Sequence, residues 1–174
     1  MQNKKRIKKS KKLAPLLRHD KKYHFDEYGW RAISDLVAEH GFSQEELVDI
    51  VANDPKGRFE FSNEKPLIRA KWGHSFPVNY GNECKDVPDT LYHGTADIYL
   101  PSIQREGLKE KDGRIVHLTN DRLLAIKIGK RHGTPIVLSI DAKRMKEDGL
   151  KFWRPGEYIW LTKEIEIQYI SFKR

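Results

Sequence analysis

The sequence has one cysteine, Cys84, and therefore cannot close an internal disulfide. That count fits a reducing compartment, so we expect the protein in the cytoplasm. No apolar run approaches the roughly 18 residues of a membrane span, and no apolar signal segment follows the basic stretch from Met1 to Lys12. These absences argue against secretion and against a protein embedded in a membrane.

Metal-ligand spacings are also lacking. The seven histidines are scattered along the chain and the cysteine has no second thiol, whereas zinc sites use several such ligands at short intervals. We therefore expect no metal.

The sequence is rich in positive charge. Lys and Arg number 33 against 25 Asp and Glu, which gives a formal net charge of +8 and an isoelectric point near 9.5. This balance favours a polyanionic partner, with nucleic acid ahead of an anionic membrane, although a basic surface that only maintains solubility is the alternative. The 174 residues, 38% of them hydrophobic, suffice for one ordinary domain or two small ones.

The first part of the chain predicts three short helices. Leucines at helical spacing from Leu13 to Leu17 indicate the first, and Pro15 predicts that this helix begins near Lys12 or is kinked there. The Lys-rich stretch before it is either a nucleic-acid arm or a solvated tail, and we expect the tail.

Capping signals delimit the other two helices. Ala32 to His40 predicts a helix that stops at Gly41. Ser43-Gln44-Glu45-Glu46 is a capping-box pattern that opens the third helix, and Asn53-Asp54-Pro55 ends it.

A hairpin and a linker follow the helices. Arg58 to Phe61 and Leu67 to Trp72 are predicted strands joined by a polar turn, which completes the element order of a winged helix. The hydrophobic pattern then lapses between Tyr80 and Pro88, a predicted linker. We therefore expect two domains, residues 1–84 and 85–174.

The second domain is predicted to be α+β with a mostly antiparallel sheet. Two helical segments are indicated, one from Ile98 to Glu106 and one from Asp121 to Gly129. Five stretches rich in β-branched or aromatic residues are predicted strands: Thr90 to His93, Ile115 to Thr119, Pro135 to Ile140, Tyr158 to Thr162 and Ile165 to Phe172.

Three short motifs contain arginine beside histidine or other cations. They are Arg18-His19 at a predicted helix end, Arg69 in Ile68 to Ser75, and Arg131 in Gly129 to Gly133. A guanidinium is planar and permanently charged, and it matches phosphate oxygens two at a time. Each motif alone has a plainer explanation: cations that suit a helix C-terminus, a surface charge on a strand, and a solvated basic loop.

Two strand motifs offer a different chemistry. Leu91 to Thr95 runs into a glycine, so that Gly94 lets a ligand approach the backbone while His93 and Thr95 offer a ring nitrogen and a hydroxyl. His117 and Thr119 alternate with apolar neighbours in a second strand. Structural histidines on strands are the alternative explanation for both motifs.

Taken in order, these motifs resemble those of the RNA 2′-phosphotransferase family (KptA). The resemblance covers roughly residues 10 to 165 and rests on an ordered set of five motifs: Leu17-Arg18-His19, Ile68 to Ser75, Leu91 to Thr95, Val116 to Thr119 and Gly129 to Gly133. It implies a winged-helix lobe followed by an ADP-ribosyltransferase-like lobe, with the site in a cleft between them. A chance match to all five motifs is improbable.

The resemblance also implies a reaction. An RNA 2′-phosphate attacks the nicotinamide ribose of NAD, nicotinamide leaves, and the ribose 2″-hydroxyl then attacks phosphorus to release 2′-hydroxyl RNA and ADP-ribose 1″,2″-cyclic phosphate. The resemblance implies that the catalytic residues are Arg18, His19, Arg69 and Arg131. The NAD pocket would be lined by His93, Gly94, Thr95, His117 and Thr119.

The sequence departs from the family at several positions. Trp72 stands where the family usually has glutamine, and Thr119 where it usually has serine. Arg154 to Glu157 replaces a Ser-x-Asn-like stretch before Trp160, a change that bears on the NAD side, and Glu157 is expected to be a surface residue. Trp30, Trp153 and Trp160 are expected in the core.

We therefore expect a monomeric, NAD-dependent RNA 2′-phosphotransferase that acts on a tRNA-like RNA bearing a 2′-phosphate, with no metal and no membrane. One alternative is an ADP-ribosyltransferase acting on nucleic-acid ends or on protein. The other is a nucleic-acid-binding module without turnover, whose affinity would depend strongly on salt.

Overall fold

A computed structural model describes residues 1–64, 66–111 and 114–172. The chain forms two compact units. The first consists of Met1–Tyr80 and the segment around Arg114, and the second consists of Gly81–Lys111 and the chain from Ile115 onward. The assignment of separate functions to residues 1–84 and 85–174 stays a prediction.

The first unit contains three helices and a three-stranded antiparallel sheet with the strand order β1-β3-β2. Its apolar core includes Leu13, Leu17, Leu36, Leu47 and Ile68, all of them buried. The elements in chain order are α1 (Asn3–Arg18), β1 (Arg31–Ala32), α2 (Ile33–His40), α3 (Gln44–Ala52), β2 (Phe59–Phe61) and β3 (Leu67–Ala70).

The capping signals are confirmed. The Ser43 hydroxyl accepts a hydrogen bond from the Glu46 amide, and the Glu46 carboxylate accepts one from the Ser43 amide, both at 3.2 Å. Gly41 ends α2 with a φ of 66°, a left-handed conformation that glycine adopts without a steric penalty. Asn53 ends α3, and the predicted hairpin is present as β2 and β3.

The prediction of a solvated N-terminal tail is wrong, as is the predicted start of the first helix near Lys12. Helix α1 begins at Asn3, and Pro15 lies inside it. Basic side chains on its first turns pair with acidic side chains of α3: Arg6 Nε lies 2.9 Å from Asp49, and Lys9 Nζ lies 2.8 Å from Glu46. These partners are distant in sequence, so the run of lysines alone could not reveal the helix.

The second unit contains three α-helices and eight strands among its described residues. The helices are α4 (Leu100–Glu106), α5 (Arg122–Gly129) and α6 (Ala142–Glu147), with a short 3-10 turn (Asp97–Tyr99) before α4. The strands are β4 (Thr90–Ala96), β5 (Leu108–Lys109), β6 (Val116–Leu118), β7 (Pro135–Asp141), β8 (Trp153–Gly156), β9 (Ile159–Thr162), β10 (Glu164–Ile165) and β11 (Ile170–Ser171).

The strands form small sheets with the orders β11-β7-β4, β6-β9-β8 and β10-β5. Every pairing among the described strands is antiparallel, so the α+β prediction is confirmed. Strand β4 pairs with β7 along its whole length and meets β6 through a bridge between Tyr92 and Thr119. Buried Leu91, Leu138 and Trp160 belong to the core beneath these sheets.

One strand prediction in this unit is wrong. Ile165 to Phe172 is not continuous, because a 3-10 turn at Ile167–Tyr169 separates β10 from β11. The adjacent residues Tyr169 and Ile170 are both buried, which breaks the alternation that a single strand requires. Helix α6 was not predicted, because its sequence is polar and only Ala142 and Met145 are buried.

The predicted linker has no helix or strand in the fully described stretch from Gly81 to Asp89. It nevertheless packs on the second unit, since the Cys84 amide donates to the Phe152 carbonyl at 2.7 Å and Val87 is buried in the core. Within the described ranges, no helix is both long enough and apolar enough to cross a membrane.

Candidate active site

Arg18 is the last residue of α1, and its guanidinium turns into the first unit. The Nε and Nη2 atoms are buried and have no hydrogen-bond partner among the described residues. Gly73, at a φ of 87°, makes room for this group, since a Cβ built there would lie 3.2 Å from Arg18 Cζ. A larger residue at position 73 would push the guanidinium aside.

Burial and, to a smaller extent, the nearby positive charge of Arg58 lower the pKa of Arg18 to about 10, while Asp54 opposes the shift. The group is therefore still charged at neutral pH. A buried cation with two unsatisfied donors is costly unless an anion completes its hydrogen bonds. This arrangement suits a phosphate ligand, whose oxygens match a guanidinium.

The backbone around Arg18 is fixed by the segment that follows Gly73. The Ser75 amide donates to the Arg18 carbonyl at 3.0 Å, and the Ser75 hydroxyl donates to the same oxygen at 3.2 Å. His74 is buried beside Gly29, where an added Cβ would lie 3.0 Å from His74 Nε2. The Arg18-His19 motif and the end of the Ile68 to Ser75 motif therefore pack together, and Gly29 lies beside them in the same unit.

His19 follows Arg18 and is exposed. Its pKa is lowered, first by partial burial and then by the positive charges of Arg18 and Arg114. The imidazole is therefore neutral at neutral pH and can accept a proton from a nearby hydroxyl group.

Arg69 is held in a different way. Its Nε donates to Glu60 Oε1 at 2.7 Å, its Nη1 donates to the Tyr28 carbonyl at 3.1 Å, and its guanidinium lies 4.4 Å from the centre of the Trp30 ring. These three contacts orient the side chain, which is 26% exposed. It is more constrained than a surface charge on a strand.

Two tryptophans of the first unit depart from expectation. Trp30 is only partly buried and serves as the surface on which Arg69 stacks, whereas we expected it in the core. Trp72, the residue that replaces glutamine, is 9% exposed and is therefore a packing residue in this chain.

In the second unit, Arg131 lies in the turn after α5. Its amide donates to the Ile128 carbonyl at 3.2 Å, and the His132 amide donates to the Gly129 carbonyl at 3.0 Å. The Arg131 side chain is exposed, and within the described part of the chain it forms no hydrogen bond or ion pair. Its guanidinium is available to a ligand but is not yet oriented.

His93 and His117 are brought together by the two neighbouring strands β4 and β6. The His93 ring nitrogen Nδ1 lies 3.0 Å from the His117 carbonyl oxygen. Because a carbonyl can only accept, Nδ1 carries the hydrogen, and Nε2 of the neutral ring is left as an acceptor. Burial lowers the pKa of His93, so the neutral form prevails at neutral pH.

Gly94 has a packing role that the sequence did not suggest. A Cβ at Gly94 would overlap the Ala125 carbonyl, and one at Gly129 would overlap the Thr95 carbonyl. Both glycines thus allow α5 to lie directly against β4. On that side of Gly94, the close approach is made by a helix and not by a ligand.

Thr119 and Thr95 are buried, and the contacts of Thr119 are local. The Thr119 hydroxyl accepts a hydrogen bond from the Asp121 amide at 3.1 Å. Asp121 in turn caps α5, accepting from the Leu123 amide at 2.8 Å. Thr119 therefore helps to fix the start of the helix that packs on β4.

Trp160 is a core residue, as predicted, and Glu157 is exposed, as predicted. The Trp160 Nε1 is buried and has no hydrogen-bond partner within the described residues. Arg154 stacks over the same ring at 4.6 Å. Trp153, predicted in the core, is only partly buried and donates to the Gly81 carbonyl at 3.2 Å.

Of the predicted site residues, Arg18 and His19 lie together, Arg69 lies on β3 of the same unit, and Arg131 and the five predicted NAD contacts lie in the second unit. Sequence reasoning missed Glu60, whose signal was its position opposite Arg69 in the hairpin. Ranges 1–64, 66–111 and 114–172 contain no group of three or more His, Cys, Asp or Glu placed to hold a metal.

Comparison with known proteins identifies the class. Residues 4–164 match the family described as RNA 2′-phosphotransferase, Tpt1 / KptA family. A probable RNA 2′-phosphotransferase of Pectobacterium atrosepticum is 42% identical over 171 residues, covering 93% of this chain and 95% of the relative. A protein of the same description from Streptomyces coelicolor is 38% identical, and the alignment covers 99% of this chain and 98% of the relative. Another, from Flavobacterium johnsoniae, is 36% identical, and the alignment covers 94% of each.

The chain therefore belongs to the RNA 2′-phosphotransferase family. Membership makes it a phosphotransferase whose substrate is RNA, and the resemblance drawn from the five motifs is confirmed.

Proposed function

We propose that the protein is an NAD-dependent enzyme that moves an internal RNA 2′-phosphate to NAD. The products are 2′-hydroxyl RNA, nicotinamide and ADP-ribose 1″,2″-cyclic phosphate. The observation that carries the proposal is the buried guanidinium of Arg18, which has two donors without a partner among the described residues. The chain belongs to a family named for RNA 2′-phosphate transfer, and the 2′-phosphate is an anion that could accept hydrogen bonds from both donors.

In the first step, a 2′-phosphate oxygen forms a bond to the nicotinamide ribose of NAD and nicotinamide leaves. Arg18 and Arg69 bind the phosphate and hold one oxygen toward the ribose carbon. The stacked, ion-paired setting of Arg69 suits this positioning role because its plane is already fixed. By resemblance to the family, Arg131 is the fourth catalytic residue of the proposal, and its exposed guanidinium can bind a phosphate oxygen.

In the second step, the ribose 2″-oxygen bonds to phosphorus as the bond between phosphorus and the RNA 2′-oxygen breaks. The hydroxyl proton passes to His19, whose lowered pKa leaves it neutral, and then to the departing RNA oxygen. Negative charge grows on the phosphoryl oxygens during this step, and the arginines stabilise it.

The second unit would hold NAD through His93, Thr95, His117 and Thr119. The chemical fit rests on the His93 ring, whose Nε2 can accept a hydrogen bond from a ribose hydroxyl because Nδ1 is committed to the His117 carbonyl. Gly94 contributes by letting α5 pack against the strand that carries His93.

We also propose fold families for the two units. In the first, α2 and α3 lie between β1 and the β2-β3 hairpin in sequence, and all three strands form one sheet, which is the arrangement of a winged helix. In the second, two antiparallel sheets meet at the bridge between Tyr92 and Thr119, an arrangement that supports an ADP-ribosyltransferase-like lobe.

The proposal is tested by incubating the protein with NAD and a short RNA that carries one internal 2′-phosphate. We expect the RNA to lose one phosphate while nicotinamide and the cyclic phosphate form in equal amounts, as measured by mass spectrometry. An RNA with only 2′-hydroxyls and one with a terminal phosphate serve as controls. Nicotinamide release with ADP-ribose retained on the terminal phosphate would instead identify an ADP-ribosyltransferase, and no NAD consumption would identify a binding module.

The role of Arg69 has its own test. Because charge on phosphorus is greatest in the second step, Arg69→Ala is expected to slow that step more than the first, so ADP-ribosylated RNA accumulates in the same assay. Product formation at the wild-type rate would contradict the role assigned to Arg69.

A further inference from the structure

We infer that a pocket beside His19 binds a base of the RNA strand next to the 2′-phosphate. This inference rests on the proposed function, since it adds a subsite to the same substrate. The pocket has a volume of about 390 Å³ and lies in the first unit, and His19 and Ser75 form part of its wall. Ser75 also bonds to the Arg18 carbonyl, so the pocket adjoins the proposed phosphate site.

Three aromatic rings form the apolar wall. Phe25 and Phe76 are stacked with their centres 4.7 Å apart, and Tyr23 meets Phe25 edge-on at 4.9 Å. The Tyr23 hydroxyl accepts a hydrogen bond from the Ala32 amide, and Arg31 lies over the Tyr23 ring at 4.3 Å. The wall is therefore rigid, and all three rings are only partly buried although they are large and apolar.

The charges around the pocket suit a nucleic-acid strand. Lys21 and His24 line it and are exposed. The carboxylate in its wall, Asp20, is engaged by Arg31 at 2.8 Å, so its negative charge is neutralised within the protein. Aromatic faces beside cations are the combination by which proteins bind single strands, because bases stack on rings and phosphates contact cations.

Another hollow in the first unit provides a contrast. It has a volume of about 510 Å³ and is lined by α3 residues that include Glu45, Val48 and Asp49. It has no aromatic wall on which a base could stack, so it does not suit a base. Val48→Ala is therefore a matched control for changes in the pocket.

The test measures binding without turnover, in the absence of NAD and at one fixed salt concentration. Four fluorescent RNAs carry the same internal 2′-phosphate. One has every base, and the others lack the base at the 2′-phosphorylated nucleotide, at its 5′ neighbour or at its 3′ neighbour. We expect one abasic RNA to bind about tenfold to a hundredfold more weakly to the wild-type protein, the loss expected for one stacked base.

Phe76→Ala is then expected to weaken binding of the complete RNA by a similar factor. It should not change the affinity for the abasic RNA that already binds weakly to the wild-type protein. Lys21→Gln, on an exposed residue, should weaken all four RNAs about equally, and Val48→Ala should change none. If the three abasic RNAs bind like the complete one, or if none of the RNAs binds, the inference is wrong. The wild-type comparison decides this even if Phe76→Ala does not fold.

The KM values distinguish the remaining possibilities. If Phe76→Ala raises the KM for NAD and not for RNA, the pocket takes a base of the dinucleotide and the inference is overturned. If binding depends on one base but no phosphate is transferred, the base-binding pocket is supported and the proposed function is wrong. If phosphate is transferred at the same rate from all four RNAs, the proposed function is supported and the base-binding pocket is wrong.

Discussion

Burial lowers the pKa of a basic side chain in each of the two units, but it leaves one side chain charged and the other neutral. In the first unit, Arg18 loses hydration and its pKa falls to about 10, which leaves it charged. In the second unit, His93 loses hydration and its pKa falls from 6.5, which leaves it neutral. The same physical cause thus gives one unit a permanent cation and the other an uncharged hydrogen-bond acceptor.

The two groups also differ in how well the protein satisfies them. His93 Nδ1 donates to a backbone carbonyl, whereas the buried Nε and Nη2 of Arg18 have no partner among the described residues. Arg18 therefore keeps two donors for an anion, whereas the donor nitrogen of His93 is already satisfied by the protein. Four predictions sharpen this contrast.

The largest effect is expected at Arg18. Arg18→Gln should reduce kcat/KM for 2′-phosphorylated RNA by roughly a hundredfold to a thousandfold, as does the removal of a charge-stabilising donor elsewhere. The urea midpoint of unfolding should stay the same or rise, because the variant no longer buries an unsatisfied cation. Arg105→Gln, at an exposed site, is the control and should change neither quantity. A large loss of stability at Arg18→Gln would mean that the residue is structural.

The next effect is on the stability of the second unit. Gly94→Ala places a methyl group onto the Ala125 carbonyl, and we expect a loss of about 3 kcal/mol in the free energy of unfolding. Gly149→Ala is the control: its Cβ has open space at a φ of 85°, so it should cost about 1 kcal/mol from backbone strain alone. Equal costs in urea titrations would show that α5 does not pack as closely as described.

A smaller effect is expected at Glu60, which orients Arg69. Glu60→Ala should lower kcat roughly tenfold with little change in the KM for NAD, because the guanidinium loses one of its three fixed contacts. Glu60→Gln keeps an acceptor oxygen and should retain more activity. Glu64→Gln, in the exposed turn of the same hairpin, should behave as wild type. Identical rates for all three variants would remove Glu60 from the positioning role.

The smallest effect is a pH dependence of stability. His93 has a lower pKa in the folded protein than the 6.5 of the unfolded chain, so below that pH the unfolded state binds more protons. The contribution of neutral His93 to the free energy of unfolding is complete above about pH 6.5 and is lost as the pH falls through the pKa of the folded state. His93→Gln should therefore flatten the decline in unfolding free energy between pH 7.5 and 5.5, as measured by urea titration. An unchanged slope would contradict the lowered pKa.

Local signals in the sequence were enough to predict much of the first unit. Ser43 and Glu46 are three residues apart and cap a helix through their own atoms, and Gly41 ends one through its own φ. The placement of Arg18 and His19 at a helix end follows from the same local rules. Features of this kind need no knowledge of the rest of the chain.

The features that were missed depend on contacts distant in sequence. Helix α1 extends to Asn3 because acidic side chains on α3 neutralise its lysines. Gly94 is a glycine because of Ala125, thirty-one positions further on, and the tautomer of His93 is set by the carbonyl of His117. Sequence patterns identified these residues as important but could not assign the physical reason.

The pairing of α1 with α3 bears on how strongly the protein responds to ionic strength. Lys5, Arg6 and Lys9 lie against the carboxylates of Glu46 and Asp49, so these cations are not free to displace ions from an RNA backbone. The number of basic residues, 33 Lys and Arg, therefore overstates the number of phosphates that the protein can neutralise. Counterion release on RNA binding should be correspondingly modest, and the logarithm of affinity should fall less steeply with the logarithm of salt than the composition suggests.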